Sequence, residues 1–179
     1  MNNYVFSRSL RRAQSGFTLV ELIAVITISA VLAVSAVIAI GSIFTSYKLN
    51  AATAKVLADI RYAQQQARAR NGWHGIRFRA NPIDRYNVYS TDGSSDVDVL
   101  DPADPSRVFD IDTVDEFDGV SITGVNLGGG NKVEFNPMGA PYDDATGSPL
   151  ASDGQLTLTL GGASRTIVVR KGTGRAELL

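Results

Sequence analysis

The hydrophobic pattern changes character twice along the chain. From Phe17 to Phe44 the positions hold Leu, Ile, Val and Ala with a few Ser and Thr, and one residue, Glu21, is ionisable. At 1.5 Å per residue this run predicts a helix of roughly 42 Å, longer than the ~30 Å hydrocarbon core of a bilayer. Its apolar residues lie all round rather than on a stripe, as suits a segment that faces first lipid and then other helices. The first proline is Pro82, so no proline kink is expected, and Gly41 is where the helix would loosen. Past Phe44 the pattern narrows to one face. Leu49, Val56, Leu57, Ile60, Ala63 and Ala67 recur at helical spacing, while Lys55, Asp59, Gln65 and Arg68 fall mostly on other faces. Asn71-Gly72 is the stop signal.

After Gly72 the period drops to two. Ile76 and Phe78 alternate with Arg77 and Arg79, Asn81-Pro82-Ile83-Asp84 is a turn, and Tyr86 and Val88 begin a return strand. A long polar loop is predicted over 90–106, then strands at 108–111, 120–125 and 132–136, with a second loop over 137–154. Leu156, Leu158 and Leu160 alternate with Thr, Gly161-Gly162 turns the chain, and strands follow at 166–170 and 175–178. Seven or eight short strands and no second helix make the fold class α+β: a long amino-terminal helix packed on a small antiparallel β domain in one or two sheets. The expected organisation is a basic leader over 1–16, a helix over 17–71 with its membrane segment over 17–44, and a β-rich domain over 72–179.

Charge gives this layout a direction. Met1–Gly16 carries Arg8, Arg11 and Arg12 and no acid, so the leader stays on the cytoplasmic side and the bulk of the chain is translocated. The formal net charge is −1, and without the three leader arginines it is about −4, which excludes a generally basic nucleic-acid binder. With no cysteine there is neither a disulfide framework nor a thiolate metal site. An ordinary signal peptide, cut near Val34-Ser35-Ala36, is the plainer reading of the amino terminus. The apolar run outlasts that site as Val37-Ile38-Ala39-Ile40, however, and a signal has no use for an acid. An unpaired carboxylate at mid-bilayer costs about 2.5–3.5 kcal/mol, so Glu21 requires a partner.

Gly16-Phe17-Thr18-Leu19-Val20-Glu21-Leu22, a basic leader before it and the apolar helix behind it resemble the amino terminus of type IV pilins and type II secretion pseudopilins. The resemblance implies that a prepilin peptidase cuts between Gly16 and Phe17 and methylates Phe17. The new α-amino group, with a pKa near 7.7–8.0, is then the natural mate for Glu21 of an adjacent subunit. Pilins often carry a proline where this chain has Ile38. Trp73–Gly75, Phe135-Asn136-Pro137-Met138-Gly139, Gly174-Arg175 and the helical run Arg61–Ala67 further resemble the H/FimT-type minor pilins and pseudopilins. That branch implies a low-copy structural subunit near the tip of a pilus or pseudopilus. It would sit in the inner membrane with its β domain in the periplasm, its partners being the peptidase, other pilins and the assembly platform. A major fibre subunit and a tethered domain that never polymerises are the alternatives.

No catalytic constellation emerges, and no enzyme, cofactor or metal is expected. The one histidine, His74, reads as a surface or edge residue, and Gly128-Gly129-Gly130 and Gly172-Thr173-Gly174 read as turns because neither opens a helix. Between Asp92 and Asp118 the chain is densely acidic with Arg107 as its one base, yet it lacks calcium-loop spacing and reads as a solvated, mobile loop. A basic run from Lys48 to Arg85 suggests that the helix of one subunit meets the acidic loop of a neighbour through Asp110, Asp112 and Asp115. DNA-uptake relatives grip phosphates with paired terminal arginines. The corresponding cluster here is Arg165, Arg170, Lys171 and Arg175, with Glu177 where a second arginine would stand, so a DNA contact is the secondary expectation.

Overall fold

The structure, a computed structural model, describes residues 16–179 and, among them, all side chains except those of residues 36–40. The expected leader with Arg8, Arg11 and Arg12 lies outside the described residues, Gly16 excepted. Helix α1 spans Leu19–Ala69, and the chain divides into one unit ending at Gly41 and a second over Ser42–Leu179. Among the described residues no helix is long and apolar enough to cross a membrane. The expected span over 17–44 includes positions 36–40, so it lies only partly within the described side chains.

In the second unit α1 enters the core through Leu49, Ala52, Val56, Ile60, Ala63 and Ala67, all fully buried. They recur every three or four residues, as a helix packed by one face requires. Asp59 corrects the sequence reading, which placed it on another face. It lies beside Ile60 and is 5 % exposed, held by Tyr86 Oη at 2.6 Å and by Lys55 Nζ at 2.6 Å. A buried carboxylate persists only with such partners, so the pair does more than tether an exposed helix face.

The strands are β1 (Trp73–Arg79), β2 (Arg85–Thr91), β3 (Asp96–Asp98), β4 (Asp110–Asp112), β5 (Ser121–Asn126), β6 (Lys132–Phe135), β7 (Pro141–Tyr142), β8 (Gly154–Leu160), β9 (Ala163–Val169) and β10 (Ala176–Leu178). One sheet has the order β3-β2-β1-β6-β7, with β4 also beside β2, and the other has the order β10-β9-β8-β5. Every pairing is antiparallel. Three expectations change. Strands β3 and β7 lie inside the stretches predicted as loops, and a four-residue helix α2 (Thr113–Glu116) occurs where no second helix was expected. Such short pieces carry no periodic signal. They exist because β2 and β6 offer ladders to them and because the Asp112 carboxylate accepts from Val114 N and Asp115 N at the start of α2.

The two sheets are tied where the β1–β2 turn meets β5. Asp84, buried and at φ +51, accepts from Ile122 N at 2.7 Å and from Asn81 Nδ2 at 3.1 Å. Its carbonyl accepts from Thr113 N and Thr113 Oγ1. At the far end of α1, side chains on its flank reach carbonyls of the loops and of β10. Arg61 Nη2 donates to Ala176 O at 2.9 Å, Gln64 Nε2 to Gly139 O and Thr173 O at 2.8 Å each, and Arg68 Nε to Met138 O at 3.1 Å. Met138 O, Gly139 O and Thr173 O lie in turns that no ladder reaches, and Ala176 O is at the first residue of β10.

Two measurements on the detergent-solubilised chain check these contacts. Burial raises the Asp59 pKa above its ordinary 3.8, against the Lys55 and Tyr86 hydrogen bonds that lower it. The folded state therefore holds that proton more tightly than the unfolded one. Its stabilising contribution is complete below pH 3.8 and is lost as pH rises through the raised folded value. The difference in unfolding free energy between wild type and Asp59→Asn, from urea titrations, is expected to decline as pH rises above 3.8 and then level off. At Gly174, φ is +67, and an added Cβ would lie 2.6 Å from Gln64 Nε2 and 2.7 Å from Gly139 O. Gly174→Ala is expected to cost about 1–3 kcal/mol by the same titration. Gly172→Ala, in open space, should stay within about 0.5 kcal/mol of wild type.

Candidate assembly site

The amino-terminal segment begins outside the helix. Gly16, Phe17 and Thr18 precede α1, so the Gly16–Phe17 peptide bond lies in non-helical, exposed chain. Thr18 caps the helix, its Oγ1 accepting from Glu21 N at 3.2 Å and its carbonyl from Leu22 N at 3.1 Å. Thr18-x-x-Glu21 has the spacing of a capping box, a signal in the sequence that the reading of Glu21 did not use. A carboxylate in the first turn is also favoured by the partial positive charge of the helix amino terminus. These local effects account for a helix that starts here. They leave the carboxylate itself exposed, with no ion pair among the described residues.

Around Glu21 the surface is apolar. Phe17 is 80 % exposed, and Leu19, Val20, Leu22, Ile23, Val25, Ile26, Ile28, Val31, Leu32 and Val34 are all exposed as well. A contiguous apolar face of this extent marks a surface that meets lipid or protein. Within it, the one acid lies in the first turn of α1, four positions after Phe17.

The motifs that resemble the H/FimT branch come together in the second unit. In Phe135–Gly139, the buried Asn136 accepts through Oδ1 from Met138 N at 3.0 Å and Ala140 N at 2.9 Å, closing the turn between β6 and β7. Gly139 and Gly174 both have positive φ, and a side chain at Gly139 would collide with the Arg68 guanidinium. The glycines are thus where the α1 side chains come closest to the loops. Trp73 packs edge-on against Tyr142 at 4.9 Å between ring centroids. At Gly75 an added Cβ would lie 2.7 Å from the Tyr89 ring, whose hydroxyl donates to the buried Glu134 at 2.6 Å. In this chain these motif residues shape the domain.

His74 is not at a surface or an edge. It lies in β1, between β2 and β6, and is buried. Desolvation lowers its pKa below the ordinary 6.5, against the contact of Nδ1 with Gly72 O at 3.4 Å. The glycine runs are turns: Leu127 N donates to Gly130 O across the first, and Gly174 N to Arg170 O across the second.

The acidic segment is tied down rather than loose. Asp96 pairs with Arg77, Asp118 with Lys48, and Asp110 and Asp112 with Arg85 at 3.3 and 3.2 Å. Phe109 is buried against Tyr62, with Lys55 Nζ 4.8 Å from its ring centroid. Thus the basic run and the acidic segment meet within one chain, and Asp110 and Asp112 already have their arginine. The terminal basic cluster is divided. Arg165 Nε donates to Asn50 Oδ1 at 3.1 Å. Arg170 joins Asp153 and Glu177, which hold its pKa above the ordinary arginine value. Lys171 Nζ donates to Ala151 O, and Arg175 lies 3.5 Å from Glu177. Among the described residues no group of three or more His, Cys, Asp or Glu is placed to hold a metal ion.

This helix-and-two-sheet arrangement is similar to known structures. The minor pseudopilin EpsH from the type 2 secretion system of Vibrio cholerae aligns with a TM-score of 0.54 at 10 % identity, over 74 % of this chain and 96 % of that one. The type IV minor pilin FimU of Pseudomonas aeruginosa aligns with a TM-score of 0.48 at 15 % identity, over 73 % of this chain and 92 % of that one. No curated protein sequence matches significantly. The prokaryotic N-terminal methylation motif matches residues 11–37, and the type II transport protein GspH family matches residues 52–173. With that family covering most of the β domain and the methylation motif covering the amino terminus, the chain belongs to the type II transport protein GspH family and is a minor pilin or pseudopilin subunit.

Proposed function

We propose that a prepilin peptidase cuts this chain between Gly16 and Phe17 and methylates Phe17, and that Glu21 then docks the subunit into a fibre. Before assembly, residues 17–44 hold the chain in the inner membrane, with the β domain in the periplasm. The observation that carries this reading is the exposed Glu21 carboxylate, without an ion pair among the described residues, on an apolar helix face. Cleavage creates a cation at Phe17, since an α-amino group has a pKa near 7.7–8.0. A small axial stagger between neighbouring helices would bring the amine of one to the Glu21 of the next. In a low-dielectric setting that pairing is far stronger than in water, and it fixes register. Membership of the GspH family supports a position near the fibre tip, with other pilins and the inner-membrane assembly platform as partners.

Two substitutions separate processing from assembly. Gly16→Asp is expected to leave the precursor uncut, seen as an unshifted band on an immunoblot. Glu21→Ala is expected to be cut normally, with mass spectrometry placing the mature terminus at Phe17, but to be missing from sheared fibres or to abolish secretion. Normal fibre incorporation of the Glu21→Ala chain would overturn the docking role, and a mature terminus elsewhere would overturn the processing site.

A further inference from the structure

Arg77, Arg85 and Arg170 of the second unit are neutralised by close carboxylates, whereas at one end of α1 three arginines converge with little or no such pairing. Arg61, Arg68 and Arg175, with Gln64, Gln65 and Thr173, line an open groove of about 360 Å³ between α1 and the turn leading into β10. Among the described residues Arg61 and Arg68 form no ion pair, and Arg175, with its side chain 74 % exposed, has only a 3.5 Å approach to Glu177. Glu177 is already bound by Arg170 Nε at 2.6 Å. The groove therefore carries a surplus of positive charge.

Two of its guanidinium groups are held in place without being used up. Arg61 anchors to Ala176 O through Nε and Nη2, and Arg68 to Met138 O through Nε. Both residues are exposed. A guanidinium whose position is fixed by a backbone carbonyl loses less rotamer freedom when it meets a carboxylate, and its planar fork matches that group in two-point geometry. The lining suits protein rather than nucleic acid. No aromatic ring lines the groove as a stacking platform. The next cation along, Arg170, lies against Asp153 and Glu177, whose carboxylates would repel phosphates. Met138, 80 % exposed, flanks Arg68, and Arg and Met are the residues enriched at protein interfaces.

The same chain shows what such a partner looks like. Asp101, Asp104, Asp115 and Glu116 border a separate groove of about 400 Å³ that Asp110 and Asp112 and the cations Lys55, Arg85 and Arg107 also line, and none of the first four forms an ion pair among the described residues. One surface with excess guanidinium and another with excess carboxylate suit a head-to-tail contact between subunits of a fibre. We propose that the Arg61–Arg68–Arg175 groove receives an acidic segment of the adjacent subunit. This rests on the assembly reading above and adds the second contact, outside the apolar helix, through which neighbours recognise each other.

The test uses the full chain in detergent micelles and a fluorescent peptide with the sequence of residues 98–118, read by anisotropy. The peptide is expected to bind, to bind about tenfold more weakly when salt rises from about 0.05 to 0.3 M, and to lose about tenfold in affinity with Arg175→Glu. Arg165→Glu, a charge reversal outside the groove, should leave the affinity within about twofold, and Arg68→Lys, which keeps the charge but not the fork, should weaken it less than Arg175→Glu. No binding, or equal losses in Arg175→Glu and Arg165→Glu, would overturn the proposal. Retention of a short DNA duplex that Arg175→Glu abolishes, with no peptide binding, would overturn it in favour of nucleic acid. Because the assay needs no fibre, its failure leaves the Glu21 docking role standing, and failure of that role leaves the groove.

Discussion

Six fully buried positions on α1, three of them alanine, place one helix face against two sheets at once. The rest of the second unit depends on that contact. Small side chains at Ala52, Ala63 and Ala67 leave room for Ile76, Phe78, Val133, Phe135, Leu156 and Ile167, all of which share the core with the helix. Each sheet alone would expose an apolar face to water. With the helix between strand faces, that surface is removed, at ~25 cal/mol per Å² buried. Asp84 then joins the β1–β2 turn to β5 through the Ile122 amide, so the two sheets do not depend on side-chain packing alone.

Polar groups in this core follow the same logic. Asp59 and Glu134 are buried carboxylates, each met by a tyrosine hydroxyl and a lysine. Burial, reinforced by these nearby acids, pushes the Tyr86 and Tyr89 hydroxyls well above the ordinary tyrosine pKa. The phenols therefore stay protonated and donate at any physiological pH. Lys132 extends the second network to Asp144, whose carboxyl is held below the usual carboxylate range by Lys132 and by Thr146. Buried charge of this kind fixes which strand faces meet. The exposed pairs that tie the acidic segment down add little energy each, and they leave Asp101, Asp104, Asp115 and Glu116 without an ion pair among the described residues.

The amino-terminal unit follows the opposite rule. Its apolar side chains are exposed, and Glu21 has no ion pair among the described residues. Such a surface is complete only in lipid or against other helices. The chain thus combines a domain that satisfies its own polar and apolar groups with a helix that cannot, and family membership accords with that division.

Much of this was legible in the residues. The apolar run with its single acid, the buried face at Leu49, Val56, Ile60, Ala63 and Ala67, the α+β class and the hairpin of β8 and β9 across Gly161-Gly162 all follow from local periodicity and turn residues. Thr18-x-x-Glu21 was also there to be read as a capping box. Other features have no local signature. Asp59 looks like half of an exposed i,i+4 pair until Tyr86, twenty-seven residues on, covers it. His74 looks peripheral until β2 and β6 close on both sides. Strands β3 and β7 and helix α2 are too short to carry a period, and the acidic segment is ordered by arginines on β1 and β2. The arginine groove joins helix residues 61 and 68 to a turn more than a hundred positions later. Periodicity and capping act over a few residues, so the sequence alone determined the longer elements and the lone acid of the apolar run. Which charges neutralise each other and which remain outward depends on contacts between distant segments, and only the tertiary structure decided that.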